Sequence, residues 1–349
     1  MRVLVLGGDG MLGHELAGTL AAQHHVAVTV HGPAMTAQPH DVSDTPADIV
    51  RGRATAATFQ TGVGARAVAD TPGDRAGGVR AAAGGWLAAG AGPPPERVFG
   101  GIDARCHDDV AALLERFRPD AVVNAIGLVQ QRPEGQLALP AVEVNTVFPH
   151  RLARLCRVAA VRLVHISTAC VFSGRRGRYT EDDQPDPVDV HGMSKLLGEV
   201  REAPAVTLRT SIIGLEPAGR SNGLVEWFLS QRGRVPGNRR ATCTGLTTVE
   251  LSRLVDRVLV KHEDLAGLWH VATSEAITEY DLLVRLADRL RRAGRAVAEV
   301  VAVDGPARDH GLVADRFADA TGYTAPGWDA MLDELVEQIM ARNDADRDD

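Results

Sequence analysis

Short apolar runs alternate with amphipathic segments through the first 210 residues of the chain. The runs are almost continuously hydrophobic, as strands buried on both faces require, and the segments between them repeat at helical spacing. The pattern predicts strands at residues 2–6, 26–30, 98–102, 121–126, 161–166 and 206–209, and helices at 10–22, 108–117, 142–158 and 190–202. Strands separated by helices indicate βαβ units, so we expect an α/β, Rossmann-like, doubly wound parallel sheet.

The pattern changes after Ser211. Helical segments at residues 247–262, 278–292 and 328–341 alternate with shorter strand candidates at 268–272 and 297–303. This predicts a nucleotide-binding domain over residues 1–210 and a smaller, mixed C-terminal substrate lobe over residues 211–342. Residues 32–97 are rich in Gly, Ala, Pro and Arg and predict a low-complexity insertion, and residues 343–349 predict a disordered acidic tail.

Composition narrows the range of partners. The net charge of −7 over 349 residues argues against a nucleic-acid partner, because proteins that bind nucleic acid usually carry a basic surface. Nowhere do about 18 apolar residues run together, so no membrane partner is expected. The four cysteines are widely spaced, which fits free thiols in a reducing cytoplasm rather than disulfides or a metal site. We therefore expect a cytoplasmic protein that acts on a small molecule, with a homodimer left open.

A glycine motif follows the first predicted strand directly. Gly7, Gly10 and Gly13 form G-x-x-G-x-x-G, which permits a tight strand-to-helix turn and brings the backbone close to a pyrophosphate. The free N–H groups at the start of the helix then bind the phosphates. The second strand ends at His31 without the acidic residue that favours NAD. The motif predicts a dinucleotide cofactor, NAD or NADP, with a lean towards NADP.

Further motifs follow in a fixed order. They are G-G-I-D-A with Asp103, V-V-N-A-I-G at residues 122–127, V-N-T with Asn145, H-I-S-T-A-C-V-F-S-G at 165–174, V-H-G-M-S-K at 190–195 and L-R-T-S-I-I-G at 208–214. Together they resemble the extended short-chain dehydrogenase/reductase family, and within it the dTDP-4-dehydrorhamnose reductase branch. The resemblance covers nearly the whole chain apart from residues 32–97. It implies NAD(P)-dependent oxidoreduction at a keto or hydroxyl carbon of a nucleotide-linked sugar or nucleoside.

The resemblance also assigns site residues. The hydroxyl of Thr168 or Ser167 would bind the substrate oxygen, and Lys195 would bind the nicotinamide ribose. Two positions depart from the family pattern: His191 stands where a catalytic tyrosine is usual, and Ala169 stands where an aspartate is usual. The expected cofactor-binding residues are Gly7, Gly10, Met11, Leu12, Gly13, His31, Asp103, Asn124, Ala125, Gly127, Asn145 and Lys195.

Histidine is chemically able to replace the tyrosine. Its ordinary pKa of about 6.5 suits general acid/base catalysis near neutral pH. The Lys195 ammonium four residues later, and an oxidised nicotinamide, would both lower the pKa of His191 and favour the neutral ring. A neutral imidazole is a better base than acid, so proton abstraction from the substrate is the expected step.

The expectation that His191 acts as a base leaves two alternative functions open. A redox-neutral dehydratase or epimerase would hold NAD tightly and use His191 as the base, with Cys170 at a position where some such enzymes place an acid/base residue. A catalytically silent NAD(P)-binding protein would keep the cofactor site alone. In either enzyme, the residues expected to contact the substrate are Tyr179, Arg209, Asn222 and Trp227.

Overall fold

The computed structural model describes residues 1–31, 97–129, 133–217 and 223–348. The predicted insertion at residues 32–97 lies outside these ranges, except for Arg97, which begins a strand. The strands are β1 (Arg2–Leu6), β2 (His25–Val30), β3 (Arg97–Gly100), β4 (Ala121–Asn124), β5 (Arg162–Thr168), β6 (Val206–Thr210), β7 (Ile212–Ile213), β8 (Arg234–Asn238), β9 (Ala241–Cys243), β10 (Leu246–Thr247), β11 (Gly267–His270), β12 (Ile277–Thr278), β13 (Glu299–Val303) and β14 (Arg308–Asp309).

The helices follow the same alternation. They are α1 (Met11–Ala21), α2 (His107–Phe117), α3 (Pro133–Gln136), α4 (Ala138–Ala141), a π-helical segment (Val142–Val147), α5 (Phe148–Val158), α6 (Val190–Leu197), α7 (Leu224–Ser230), α8 (Thr248–Lys261), α9 (Glu279–Arg292), α10 (Asp315–Thr321) and α11 (Trp328–Asp348). No helix in the described ranges combines the length and the apolarity needed to cross a bilayer.

The main sheet is parallel throughout. Within the described part of the chain its order is β3-β2-β1-β4-β5-β6-β11, and each neighbouring pair is in parallel register. The strand order reverses between β1 and β4, and in open α/β sheets ligands bind at the carboxyl ends of the strands near such a switch. This confirms the Rossmann-like α/β fold and directs attention to the loops that follow β1, β4 and β5.

The C-terminal lobe is mixed and shares the main sheet. Strands β8 and β13 pair in parallel, while β9 pairs antiparallel with β12 and parallel with β14. Strand β11 comes from this lobe and adds to the main sheet beside β6. The residues predicted to form the substrate lobe are therefore mixed in strand direction, and one of their strands completes the edge of the main parallel sheet.

Two helix ends differ from the sequence prediction. Helix α6 ends at Leu197 rather than residue 202, because Gly198 packs so closely on the Asn145 carbonyl that a side chain there would overlap it. Helix α11 continues to Asp348, where the pattern predicts a disordered tail. Residues 343–348 contain neither glycine nor proline, so nothing in the sequence interrupts the helix that Leu332 and Ile339 anchor in the core.

Candidate active site

The glycine loop after β1 is shaped by close backbone contacts. Gly7 has φ +87°, a left-handed conformation that favours glycine, and its N–H donates to Thr29 Oγ1 at 3.0 Å. A side chain on Gly13 would overlap the Gly7 carbonyl, so α1 packs directly on the loop. No side chain caps the start of α1, which leaves its first N–H groups free to bind an anion. The loop, with Met11 and Leu12 at the helix start, fits a pyrophosphate.

Gly13→Ala is expected to weaken both folding and cofactor binding. The added methyl group must displace the Gly7 carbonyl, and overpacking of this kind costs about 1–3 kcal/mol of unfolding free energy. Gly10→Ala is the matched control, because a Cβ there would lie 3.4 Å from the same carbonyl oxygen. Urea unfolding and calorimetric titration with NAD measure the two effects. Equal losses in both variants would contradict this description of the loop.

The ends of β2 and β3 form the side where the adenosine is expected. His31 is exposed there, and Asp103 follows β3. The Asp103 carboxylate is already paired, since Arg105 Nε donates to Oδ1 at 3.0 Å and Arg105 Nη2 donates to Oδ2 at 2.8 Å. These hydrogen bonds lower the pKa of Asp103, and His31 is near enough to add to the effect. Asp103 and His31 thus lie near each other, with Arg105 as a partner of Asp103 that the motifs did not indicate, and their contact with the cofactor stays a prediction.

The loop after β4 joins the glycine loop to the catalytic helix. Ala125 N–H donates to the Leu6 carbonyl at 3.0 Å, and a Cβ on Gly127 would lie 3.8 Å from Lys195 Nζ. Asn124 differs from the other predicted cofactor ligands. Its fully buried amide lies 3.1 Å from His165 Nδ1, and its Oδ1 accepts from the Ile126 N–H. Asn124 therefore shapes the loop from within the sheet.

The end of β5 separates the two candidate hydroxyl groups. Ser167 is buried and donates to Glu199 Oε1 at 2.9 Å, so it is engaged away from any ligand. Thr168 is half-buried, its Oγ1 accepts from the Cys170 N–H at 3.1 Å, and its side chain also hydrogen-bonds the Cys170 thiol, a weak acceptor that a substrate oxygen could replace. Of the two, Thr168 is the one that suits a substrate oxygen.

The next two residues explain one departure from the family pattern. Ala169 is fully buried in an apolar cluster with Phe172 and Leu312, where an unpaired aspartate would be costly. Burial raises the pKa of the Cys170 thiol, so the thiol stays protonated near neutral pH. Cys170 is thus a proton donor or a packing residue rather than a nucleophile.

Helix α6 carries His191 and Lys195. Asp189 caps its start, with Oδ1 accepting the Gly192 N–H at 2.7 Å. A side chain on Gly192 would overlap the Cys170 carbonyl, so the first turn of α6 packs directly on the turn that follows Thr168. His191 Nδ1 lies 2.9 Å from the Leu128 carbonyl oxygen, and burial lowers the pKa of the ring below 6.5. The histidine is therefore held by a backbone hydrogen bond, is neutral near pH 7, and lies in the helical turn that packs on the loop after Thr168.

Lys195 is the most deeply buried charged group of the helix. It is 6% exposed, and its Nζ donates to the Ile166 carbonyl at 2.6 Å. Burial lowers the pKa of Lys195 to about 8, with the nearby Glu199 acting in the opposite direction. The ammonium lies beside Gly127 of the β4 loop, where the resemblance expects the nicotinamide ribose.

The charge of Lys195 gives a pH-dependent prediction. If the ammonium holds the ribose, the apparent affinity for NAD falls as the pH rises through about 8, because the free protein then loses that proton. Lys195→Arg keeps its charge over this range, so its affinity should not change with pH there. Calorimetric titrations with NAD at a series of pH values measure this. Parallel pH profiles for the two proteins would exclude Lys195 as the titrating group.

A buried polar network lies beneath β5. Arg209 is fully buried, and its Nε and Nη2 donate to the two carboxylate oxygens of Glu199 at 2.6 and 2.7 Å. Its Nη1 lies 3.2 Å from His270 Nε2, and its guanidinium lies over the Phe172 ring. With its donors used in this way, Arg209 supports the sheet. The prediction that it contacts substrate is not supported by this geometry.

The other predicted substrate contacts have different positions. Tyr179 is 4% exposed, stacks on Phe172 and accepts the Arg176 N–H at its hydroxyl, so it belongs to the core beneath the site. Trp227 is half-buried on α7, and its role stays a prediction. Asn222 lies outside the described residues. Arg308 on β14 is exposed, and its positive charge partly offsets the rise in the Cys170 pKa that burial causes. This position makes Arg308 a further candidate for contact with the substrate.

Comparison with known proteins identifies the family. A family model described as the RmlD substrate binding domain matches residues 98–340, well over half of the chain. The chain belongs to this family. The dTDP-4-dehydrorhamnose reductase of Escherichia coli is 24% identical over 258 residues, which span 66% of this chain and 84% of that protein. The methionine adenosyltransferase 2 subunit beta of Danio rerio is 29% identical over 196 residues, 52% of this chain and 59% of that protein, so the match spans less than two thirds of its length.

Solved structures show the same fold. The dTDP-4-dehydrorhamnose reductase of Bacillus anthracis, in complex with NADP, aligns with a TM-score of 0.66 and 15% identity over 97% of this chain and 99% of that chain. The dTDP-glucose 4,6-dehydratase of the same organism, in complex with NAD, aligns with a TM-score of 0.66 and 14% identity over 99% of this chain and 98% of that chain. At these identities the likeness concerns the fold.

Sequence reasoning on this RmlD-family chain missed several residues that hold the site together. Ser194 directly precedes Lys195 in the motif V-H-G-M-S-K, and Glu199 follows four residues after Lys195, so their positions in the sequence carried a signal. Arg105 lies two residues after Asp103, so its position in the sequence also indicated a possible partner for that carboxylate. Leu128 acts through its backbone carbonyl, which no residue identity reveals.

Proposed function

We propose that this chain is an NAD(P)-dependent oxidoreductase that acts on a keto or hydroxyl carbon of a nucleotide-linked sugar or nucleoside. The observation that carries the proposal is the packing of α6 on the turn after β5. It sets the first turn of α6, which carries His191, against the turn that follows Thr168, with a buried Lys195 one helical turn further on, next to Gly127. The reductase names among the family relatives support a nucleotide-linked sugar as the substrate class.

The nicotinamide supplies the hydride acceptor or donor when the cofactor is bound. In the oxidation direction, His191 takes the proton of the substrate hydroxyl while the hydride leaves the same carbon, so the hydroxyl becomes a ketone. In the reduction direction, protonated His191 returns that proton to the new alkoxide. Thr168 donates a hydrogen bond to the substrate oxygen in both directions, and Lys195 holds the ribose.

The remaining expectations are proposals of the same kind. Free thiols at all four cysteines support a cytoplasmic location, and the family supports a small-molecule substrate. The preference for NAD or NADP would depend on Asp103, Arg105 and His31. Arg105 is about half exposed, so it can turn towards a 2′-phosphate if its pair with Asp103 opens.

A redox-neutral dehydratase or epimerase is the second candidate. It is favoured by two features of the site: the neutral His191 is suited to act as a base, and the Cys170 thiol keeps its proton for a leaving hydroxyl. Such an enzyme would purify with NAD bound and turn over without added cofactor. A silent NAD(P)-binding protein would bind the cofactor but would not turn over any substrate, with or without added cofactor.

The test uses purified full-length protein. Mass spectrometry first determines whether NAD or NADP copurifies. The protein is then incubated with dTDP-4-dehydrorhamnose, other nucleotide-linked keto sugars and nucleosides, with NADH or NADPH, and the absorbance of the reduced nicotinamide is followed. The proposal predicts that cofactor is consumed in step with product. Product formation without net cofactor consumption would favour the second candidate, and binding without product would favour the silent protein.

A further inference from the structure

The backbone of Leu128 lies between the side chains of Asn145 and His191. Its N–H donates to Asn145 Oδ1 at 2.8 Å, and its carbonyl accepts from Asn145 Nδ2 at 3.0 Å. The same carbonyl oxygen lies 2.9 Å from His191 Nδ1. A carbonyl oxygen only accepts hydrogen bonds, so Nδ1 of His191 must carry the hydrogen. In the neutral ring the lone pair is then on Nε2, the nitrogen that faces away from this carbonyl.

Asn145 is rigidly held in this position. It is fully buried within the π-helical segment, a type of distortion that often occurs at functional sites. Its Nδ2 also donates to Ser194 Oγ at 3.0 Å, and Ser194 in turn donates to the His191 carbonyl at 3.0 Å. Thr146 Oγ1 donates to the Ser194 carbonyl at 2.7 Å, which ties the same segment to α6 a second time.

These contacts use the hydrogen-bonding capacity of the Asn145 amide. Both amide hydrogens have acceptors, Leu128 O and Ser194 Oγ, and Oδ1 accepts from the Leu128 N–H. No donor is left for a cofactor, contrary to the role that the resemblance implies for Asn145. The amide instead pairs with both backbone polar groups of Leu128 and fixes the direction of the Leu128 carbonyl.

We propose that Asn145 is a positioning residue that selects the imidazole tautomer of His191. By aligning the Leu128 carbonyl it places the hydrogen on Nδ1 and leaves Nε2 as the nitrogen that accepts the substrate proton. The inference builds on the proposed function, which assigns His191 to proton transfer. The tautomer itself is a property of the free protein and can be measured without turnover.

The charged groups that act on His191 belong mainly to its own helix. Lys195 disfavours the imidazolium, and Asp189 at the helix start favours it. The Leu128 backbone, Asn145 and Ser194 contribute neutral groups, and the Cys170 carbonyl packs against Gly192. The choice between the two neutral tautomers therefore depends on the hydrogen bond to Leu128 rather than on a nearby charge.

The experiment is long-range ¹H–¹⁵N correlation NMR on full-length protein labelled at histidine nitrogen. The His191 signals are assigned by their loss in His191→Gln. The wild-type protein is expected to show the Nδ1–H tautomer at pH values where the ring is neutral. Asn145→Asp keeps the size and the acceptor oxygen but removes both donors, so the tautomer is expected to become mixed. Turnover should fall about tenfold, as expected when a catalytic group loses its alignment.

Thr146→Val is the matched control. It removes a neighbouring hydrogen bond to α6 without touching Leu128, so the Nδ1–H tautomer should persist. Asn145→Ala, studied at low temperature, replaces the aspartate variant if that protein does not fold. An Nε2–H tautomer in the wild-type protein would overturn the inference, and so would an unchanged tautomer in a folded Asn145 variant. The expected spectra without any turnover would instead count against the proposed function alone.

Discussion

His191→Gln is expected to lower the turnover number by about 10²–10⁴-fold, the range that one general acid/base contributes. Glutamine keeps hydrogen-bonding atoms near Leu128 but cannot take up or release a proton at neutral pH. Cofactor affinity should remain close to wild type, because the glycine loop and Lys195 are unchanged. Steady-state kinetics with a nucleotide-linked substrate, together with NAD titration, measure the two quantities.

His150→Gln provides the control for this prediction. The His150 ring also bonds to a backbone carbonyl, that of Leu197 at 2.8 Å, but it lies on the exposed face of α5. Its turnover should match wild type. Full activity in His191→Gln would exclude the histidine from proton transfer, whatever else the site does.

The pH profile of the wild-type enzyme follows from the same group. Burial and Lys195 lower the pKa of His191 below its ordinary 6.5. Oxidation needs the neutral ring, so its rate should rise with pH through that lowered pKa and then level off. Reduction needs the protonated ring, so its rate should fall as the pH rises through the same value. Neither pH-dependent step should appear in His191→Gln.

Arg209→Met is expected to destabilise the fold by about 3–5 kcal/mol, the cost of removing one partner of a buried ion pair. Glu199 would be left buried with the Ser167 hydroxyl, the exposed Arg201 and the nearby Lys195 ammonium, and without its bidentate partner. The methionine fills most of the space, so the loss arises mainly from the unpaired carboxylate. Urea unfolding followed by circular dichroism measures the change.

The double variant Arg209→Met with Glu199→Leu separates charge from packing. If the uncompensated carboxylate is the main cost, the double variant should be more stable than Arg209→Met alone. Additive losses in the two single variants would contradict this account of the network. They would return Arg209 to the list of candidates for ligand binding.

Much of the scaffold follows from local sequence patterns. Strands β1 and β4 are nearly continuous apolar runs, which indicate a buried parallel sheet, and Gly7 and Gly13 mark the loop between β1 and α1. The end of α6 could not be predicted in this way. It depends on Gly198 meeting the Asn145 carbonyl, a contact between segments that are distant in sequence.

The sequence indicated which residues form part of the candidate site better than it indicated what each of them does. The motifs located His191, Lys195 and Thr168, which the fold brings to one edge of the sheet. They could not show that Arg209 and Tyr179 point into the core, because burial in a sheet depends on which neighbouring strands and helices cover each face. Nor could they show the role of Leu128, which depends on a backbone carbonyl.

The departure at Ala169 has a physical explanation that the sequence lacked. The position lies in an apolar cluster, so the usual aspartate has been replaced by a residue that its present surroundings favour. His191, by contrast, keeps an ordered hydrogen bond and a close position beside the β5 turn. The two substitutions therefore differ in kind: one removes a polar group, and the other keeps a hydrogen-bonding side chain that we propose transfers the proton.

Transfer of deuterium from cofactor to substrate tests the central claim most directly. The protein is incubated with dTDP-4-dehydrorhamnose or another nucleotide-linked keto sugar and NADPH or NADH deuterated at the transferable position of C4. We expect one deuterium in each product molecule, oxidation of one nicotinamide for each product molecule formed, and loss of the deuterium transfer in His191→Gln. Binding of the deuterated cofactor without transfer to any of these substrates, in wild-type protein that is fully folded, would contradict it.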